Sequence, residues 1–480
     1  MTTLEGPHPA IDAAAICLSV IQNGGSGQMA GILGVFATGP DRPAIGDPDK
    51  IAALYRSGRV RVMVAVTGGY ALSYTCRLAM SVVKKPLIDQ GIFTPAQLGL
   101  IGSVLFYAYA FSKLTNGFLG DHANIKRFGA FGLLASALVC MGMGLNTSLG
   151  VAMLLWGLNG WFQGFGAPTA VVGLAHWFSN RERGRYYGIW NTSHAAGEGL
   201  TFIGAGALVT AFGWRAGFIG PGVVCVAGAL GMYLLLRDRP PTYGLPTVAD
   251  WKDDHGLADE ASKADERSRT GVFRTQLSIL KQPALWCLAL SSAAMYVTRY
   301  GLDNWGLLWL QETRGYSALQ AGSLLTVGTV AGVIGCIVFG FLSDTVFGAR
   351  RPPVNLIYGL VEILGLGLIF WGPANAWSLA AGFALFGFGV NGLITSLGGL
   401  FAIDICPKRV AGAALGVVGV FSYLGAAVQD NISGFLIQKH MTFVHGLRHY
   451  DFHAAIAFWM GASVVSLLLA SLLWRAKMRD

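Results

Sequence analysis

Gly117-Phe118-Leu119-Gly120-Asp121, followed by Lys126-Arg127, returns later in the chain as Gly340-Phe341-Leu342-Ser343-Asp344, followed by Arg350-Arg351. Asp121 and Asp344 stand 223 positions apart. Two arginines embedded in apolar sequence keep almost the same offset. Arg77 (in Tyr70-Ala71-Leu72-Ser73-Tyr74-Thr75-Cys76-Arg77) and Arg299 (in Met295-Tyr296-Val297-Thr298-Arg299-Tyr300) are 222 apart. One ancestral unit, duplicated, accounts for both spacings.

The composition places this repeat in a membrane. Of 480 residues, 53% are hydrophobic and 12% charged, with a mean hydropathy of +0.53; a soluble domain carries about twice that charge. The 67 glycines show no G-X-Y period and suit closely packed membrane helices. Spanning takes about 20 apolar residues at 1.5 Å each. Twelve segments qualify, near 62–83, 96–119, 127–146, 149–178, 186–212 and 216–236, then 283–310, 320–342, 353–372, 377–402, 410–436 and 453–474. The expected fold is an all-α membrane protein of 12 transmembrane helices in two pseudo-symmetric six-helix bundles. Its bundles cover 56–236 and 283–480. A poorly ordered cytoplasmic extension, 1–55, precedes them, and a polar linker, 237–282, reads as a flexible tether. No basic n-region stands ahead of the apolar N-terminal piece, which argues against a signal peptide.

Basic residues fix the orientation. Arg56, Arg59, Arg61, Lys126, Arg127, Arg181, Arg183, Arg185, Arg350, Arg351, Lys408, Arg409, Arg475, Lys477 and Arg479 fall on one side, against fewer on the other. The positive-inside rule makes both termini and the linker cytoplasmic, in the inner (plasma) membrane. The net charge of +9 is read as this bias, and no basic block interleaved with aromatics points to nucleic acid. Seven scattered cysteines form no CxxC or Cys/His cluster, so neither zinc nor a disulfide framework is indicated. The histidines 440, 445, 449 and 453 are irregularly spaced and read as a solvated loop. No P-loop, nucleophile–base motif or cofactor fingerprint is present; the expectation is a protein that is not an enzyme and needs no cofactor.

A guanidinium in a bilayer costs several kcal/mol on some scales, about 3 on the mildest, so a repeated one is expected to work. Two converging arginines match an oxyanion, phosphate above all. Tyr74 and Ser73 precede Arg77 on its own face and offer hydroxyls; alternatively Arg77 snorkels outward. Tyr296 precedes Arg299, and Asp303 at i+4 offers a self-neutralising pair instead. Asn191, His194 and Glu198 share one face of the fifth segment. His194 could donate to phosphate or take a proton, with Glu198 holding it as imidazolium; alternatively the two form a structural pair. Asp430 could meet substrate hydroxyls or compensate a cation. For Lys113, Asn116, Gln163, Glu362 and Asn391, contact with substrate and helix–helix hydrogen bonding are both open.

The string Arg183-Gly184, Trp190-Asn191 and His194 resembles the organophosphate:phosphate antiporter family of the major facilitator superfamily, as do Gly160-Trp161-Phe162-Gln163-Gly164, Phe111-Ser112-Lys113, Arg299-Tyr300-Gly301, Pro407-Lys408-Arg409 and Tyr423-Leu424-Gly425. The resemblance implies the major facilitator fold with a midplane site. It also implies phosphate binding by Arg77 and Arg299, assisted by His194. Leu78 and Ala195 depart from the family's usual lysine and asparagine. The implied function is exchange of an organic phosphate ester (phosphoglycerate or sugar phosphate) for inorganic phosphate by alternating access, performed in the lipid bilayer by a monomer. Alternatives are a hexose-phosphate sensor of the same fold and a proton-coupled organic anion symporter.

Overall fold

The computed structural model describes residues 32–254, 279–348, 350–405, 411–444 and 447–475. Cys17, Cys406, His445, Lys408, Arg409, Lys477, Arg479 and the centre of the linker therefore lie outside the described residues. Residues Met1–Ala37 and Thr38–Asp480 form separate units; the described part of the first holds one 3-10 turn, Ile32–Phe36.

In the second unit the described long helices form twelve rods. The N-terminal half contains α1 (Pro48–Asp89), α2 (Pro95–His122), α3 (Ile125–Gly144), α4 (Leu149–Gln163, resuming as Gly166–Trp177), α5 (Asn180–Leu200, continued through a π turn to Phe212) and α6 (Ala216–Leu235). The C-terminal half contains α7 (Pro283–Arg314), α8 (Ala318–Phe341), α9 (Arg351–Trp371), α10 (Ala376–Thr395, continued through a π turn to Ile405), α11 (Ala411–Lys439) and α12 (His453–Leu472). Eight of these rods are long and apolar enough to cross a membrane among the described residues, and α2, bent by 43°, makes a ninth. Two of the other three, α1 and α7, carry the buried arginines; the third, α4, is interrupted after Gln163.

Helix α1 starts earlier than expected. Asp47 caps it, accepting from the Asp49 and Lys50 amides, and Pro48 takes the first turn, where its missing N–H costs nothing. Residues 48–55 therefore belong to the first helix and not to the extension. Its 42 residues reach about 60 Å at 1.5 Å per residue, roughly twice the hydrocarbon thickness. The duplication extends to the caps: Thr94–Gln97 and Ser317–Gln320 form reciprocal capping boxes at the starts of α2 and α8, again 223 apart.

The linker is also more ordered than a tether up to Asp254. Tyr55 donates to the Pro246 carbonyl at 2.6 Å and stacks on Trp251, while Trp177 donates to the Asp238 carbonyl. This segment thus docks on α1 and α4. Beyond α11 the histidine-rich loop forms an antiparallel hairpin, β1 (Met441–Val444) with β2 (Leu447–Tyr450). His440 folds back on the Leu436 carbonyl and His453 on Asp451. Among the described residues no three His, Cys, Asp or Glu are placed to hold a metal.

Where helices of one half cross, backbones touch: a Cβ on Gly387 of α10 would run into the Gly328 carbonyl of α8. The halves meet chiefly through α2 against α11, α5 against α8, and α1 against α7. The repeated loop motif closes one end of the C-terminal half. There Arg351 binds Asp344 and Asp404, each at 2.8 Å.

Candidate substrate-binding site

Helix spacing puts Tyr70, Tyr74 and Arg77 on one face of α1, and Tyr296, Arg299, Tyr300 and Asp303 on one face of α7. Both arginines are buried, at 4% and 5% exposure, and both face the seam between the halves. The Arg77 guanidinium lies 4.8 Å from the ring centre of Tyr74 and 4.2 Å from that of Tyr109. Tyr109 in turn meets Tyr423 of α11 at 4.5 Å, and Tyr423 meets Tyr296 at 5.4 Å. Lys113, itself exposed, holds its ammonium 5.0 Å from the Tyr423 ring. The result is an aromatic cage built from both halves, with cations set into its walls.

The two arginines differ in one decisive respect. Arg77 Nε and Nη1 are buried without a hydrogen-bond partner, and no ion pair joins Arg77 to a described carboxylate. Arg299 is occupied: its Nη2 lies 2.7 Å from Glu198 Oε1, and its Nε 3.4 Å from Asp303 Oδ2. A cleft of about 360 Å³, open solvent included, lies beside this cluster. Its lining includes Glu198, Arg299, Asp303, Thr329, Asn391, Phe383 and Phe386. The expected matched pair of free cations is thus one free arginine and one arginine already paired. A free, dry guanidinium is costly and seeks an anion.

A family profile described as Major Facilitator Superfamily matches residues 66–429. The chain is 33% identical to the membrane sensor protein UhpC of Salmonella typhimurium over 89% of this chain and 94% of that one. It is also 33% identical to a probable hexose phosphate transport protein of Chlamydia muridarum, over 80% and 86%. The chain belongs to the Major Facilitator Superfamily, in its organophosphate:phosphate antiporter family. Among solved structures, this facilitator shares its fold with a bacterial homologue of the human lysosomal transporter Spinster, at a TM-score of 0.68 and 18% identity, covering 88% of this chain and 99% of that one. It is a multi-pass membrane protein of a transporter superfamily, not an enzyme.

Several residues singled out by sequence sit elsewhere in the facilitator or act differently. The Glu198 carboxylate goes to Arg299 across the seam, and no hydrogen bond joins it to His194 among the described residues. His194 is half-buried with its ring 6.0 Å from that of Tyr74, so it borders the cage from α5. Asn191 lies one turn earlier, also half-buried. The Ser73 hydroxyl is turned back onto the Tyr70 carbonyl and is not offered beside Arg77. Gln163 supports the site from behind, donating to the Ser73 carbonyl and to Ser136, while Asn159 donates to the Cys76 carbonyl. This network grips α1 along the turn that leads into Arg77.

Asp430 lies outside the cage and meets the cation left open as its alternative partner. Lys84 Nζ is 3.4 Å from it, and Asn304 and Trp305 donate to it at 3.2 and 2.5 Å. This knot joins α1 to α7 and α11. Nearby, Lys85 pairs with Glu312, the Ala96 amide donates to Gln438, and Ser103 donates to the Ala427 carbonyl. All of these inter-half bonds lie toward the Asp89 end of α1, and they hold that end shut. At the opposite end, among the described residues, the ion pairs stay inside a half, as in Arg59–Glu182 and Arg351–Asp404. Tyr109, Tyr300 and Tyr423 had not been chosen as site residues. Tyr109 was within reach of sequence, since it sits four residues before Lys113 on the same face.

Proposed function

We propose that the protein carries an organic phosphate ester, a sugar phosphate or phosphoglycerate, across the inner membrane by alternating access, in exchange for inorganic phosphate. The observation that carries this reading is Arg77: a buried guanidinium with two unsatisfied nitrogens, set in a wall of tyrosines where the halves meet. A phosphate supplies the missing acceptors bidentately. The ester's remaining groups face Asn391, Thr329 and the acid–arginine cluster. The positive-inside bias puts the Pro48 end of α1 and both termini in the cytoplasm. The bonded Asp89 end then closes the outer side, and the site opens inward. The carrier is proposed to work as a monomer.

The test is counterflow of labelled phosphate from loaded proteoliposomes against glycerol 3-phosphate, phosphoglycerates, phosphoenolpyruvate and glucose 6-phosphate. Uptake driven by at least one ester is expected; no counterflow with any of them sinks the reading. The identity to UhpC supports a second reading, a hexose-phosphate sensor of this fold, for which ligand binding would come with negligible flux. His194→Ala is expected to slow exchange by about ten-fold, the loss of one hydrogen bond to a charged group. Flux at the wild-type level would reduce His194 to scaffold.

A further inference from the structure

Glu198 and Arg299 belong to different halves, α5 and α7, yet their side chains meet at 2.7 Å with each residue about 5% exposed. The position of Glu198 is tightly set. A Cβ on the neighbouring Gly197 would strike the Ala71 carbonyl of α1, so α5 lies directly on the helix that carries Arg77. A charge-assisted bond of this length, out of water, is among the stronger polar contacts available. Breaking it without replacement would strand the buried Glu198 carboxylate and leave Arg299 with Asp303 alone.

We propose that the Glu198 carboxylate is an internal stand-in for the substrate's anion: in the empty carrier it occupies Arg299 and bridges the halves, and arriving phosphate displaces it. This rests on the cage being a phosphate-ester site. Phosphate docks first on Arg77, whose nitrogens are vacant, and then takes Arg299 from Glu198, one anion replacing another at the same guanidinium. Asp303 also neutralises Arg299, at 3.4 Å, but it sits on the same helix and cannot tie the halves together. Two consequences follow. Glu198 competes with substrate and weakens its binding. It also gives the empty carrier a bridge of its own, so the empty form can reorient and exchange is not obligatory.

The experiment uses the full chain, in detergent for binding and in proteoliposomes for flux, with inorganic phosphate and glucose 6-phosphate as probes. Glu198→Gln and Glu198→Ala should each bind phosphate about ten-fold more tightly, the scale of one charged hydrogen bond. They should also lower the ratio of net efflux, without counter-substrate, to exchange. Asp303→Asn, which removes an equal charge but no bridge, should shift affinity in the same direction without lowering that ratio. Unchanged or weaker binding in both Glu198 variants, or an unchanged flux ratio, overturns the stand-in while leaving the phosphate-ester reading intact. Failure of the wild type to bind either probe overturns both.

Discussion

Arg77→Lys is expected to lower phosphate exchange by about 100-fold, and Arg299→Lys by only about ten-fold. The asymmetry comes from what each guanidinium touches. Arg77 has ring faces on two sides and two nitrogens without acceptors, so its bond to substrate is made entirely on binding. Lysine keeps the charge but loses the planar fork and its stacking on Tyr109. Losing two hydrogen bonds to a charged partner, at about 1.5–3 kcal/mol each, amounts to two decades or more. At Arg299 part of that energy is already spent on Glu198 and Asp303, so substitution forfeits less. Initial rates of labelled phosphate exchange in proteoliposomes, normalised to reconstituted protein, read this directly. Equal losses at both positions would show that Glu198 leaves Arg299 before substrate arrives.

Only the Asp303 half of that asymmetry was legible in the sequence, as an i+4 pair with Arg299, whereas most of the architecture was. The 222–223-residue offset is visible in Asp121/Asp344 and Arg77/Arg299, and the same offset recurs in the caps Thr94 and Ser317. Local signals of this kind are read from residues a few positions apart. The Asp47-Pro48 pair is a signal of the same type, and it marks the true start of α1. The partner of Glu198 is a different matter. Helical spacing put it on a face with His194, four residues away, but a long side chain on that face can also reach across to another helix. Which contact it makes depends on how α5 and α7 approach, a distance between residues about a hundred positions apart. Tyr423 escaped selection for the same reason: its ring meets Tyr109 only once the two halves are brought together. Tyr109 lies in the same half as Arg77, and its ring closes on the guanidinium within that half. Asp430 shows the converse: its cation, Lys84, stands beside Lys85 near the end of α1, where sequence alone suggests water and not a buried ion pair.

Asp430→Asn should be the most damaging single change outside the substrate cage. It leaves Lys84, 1% exposed and with its ammonium 3.4 Å from the Trp305 ring centre, without the only carboxylate it pairs with among the described residues. Removing one member of a buried ion pair costs about 3–5 kcal/mol, comparable with a third or more of a typical folding free energy. Two readouts separate the consequences. Thermal unfolding in detergent should move down by several degrees, since about 1 kcal/mol shifts Tm by a few degrees even in large domains. The knot also binds α1 to α7 and α11 at the Asp89 end, so losing it should favour the state open at that end. A reporter cysteine at Ala96, whose amide is bonded to Gln438 across the seam, would then react faster with a thiol reagent applied from that side. The paired change Lys84→Met with Asp430→Asn should recover much of the stability, because no charge is then left buried alone. It should not restore closure, because Trp305 and Asn304 would be left with a weaker acceptor. If the double variant instead melts as low as Asp430→Asn, the knot is held by the Trp305 and Asn304 hydrogen bonds to the carboxylate, and Lys84 contributes only packing.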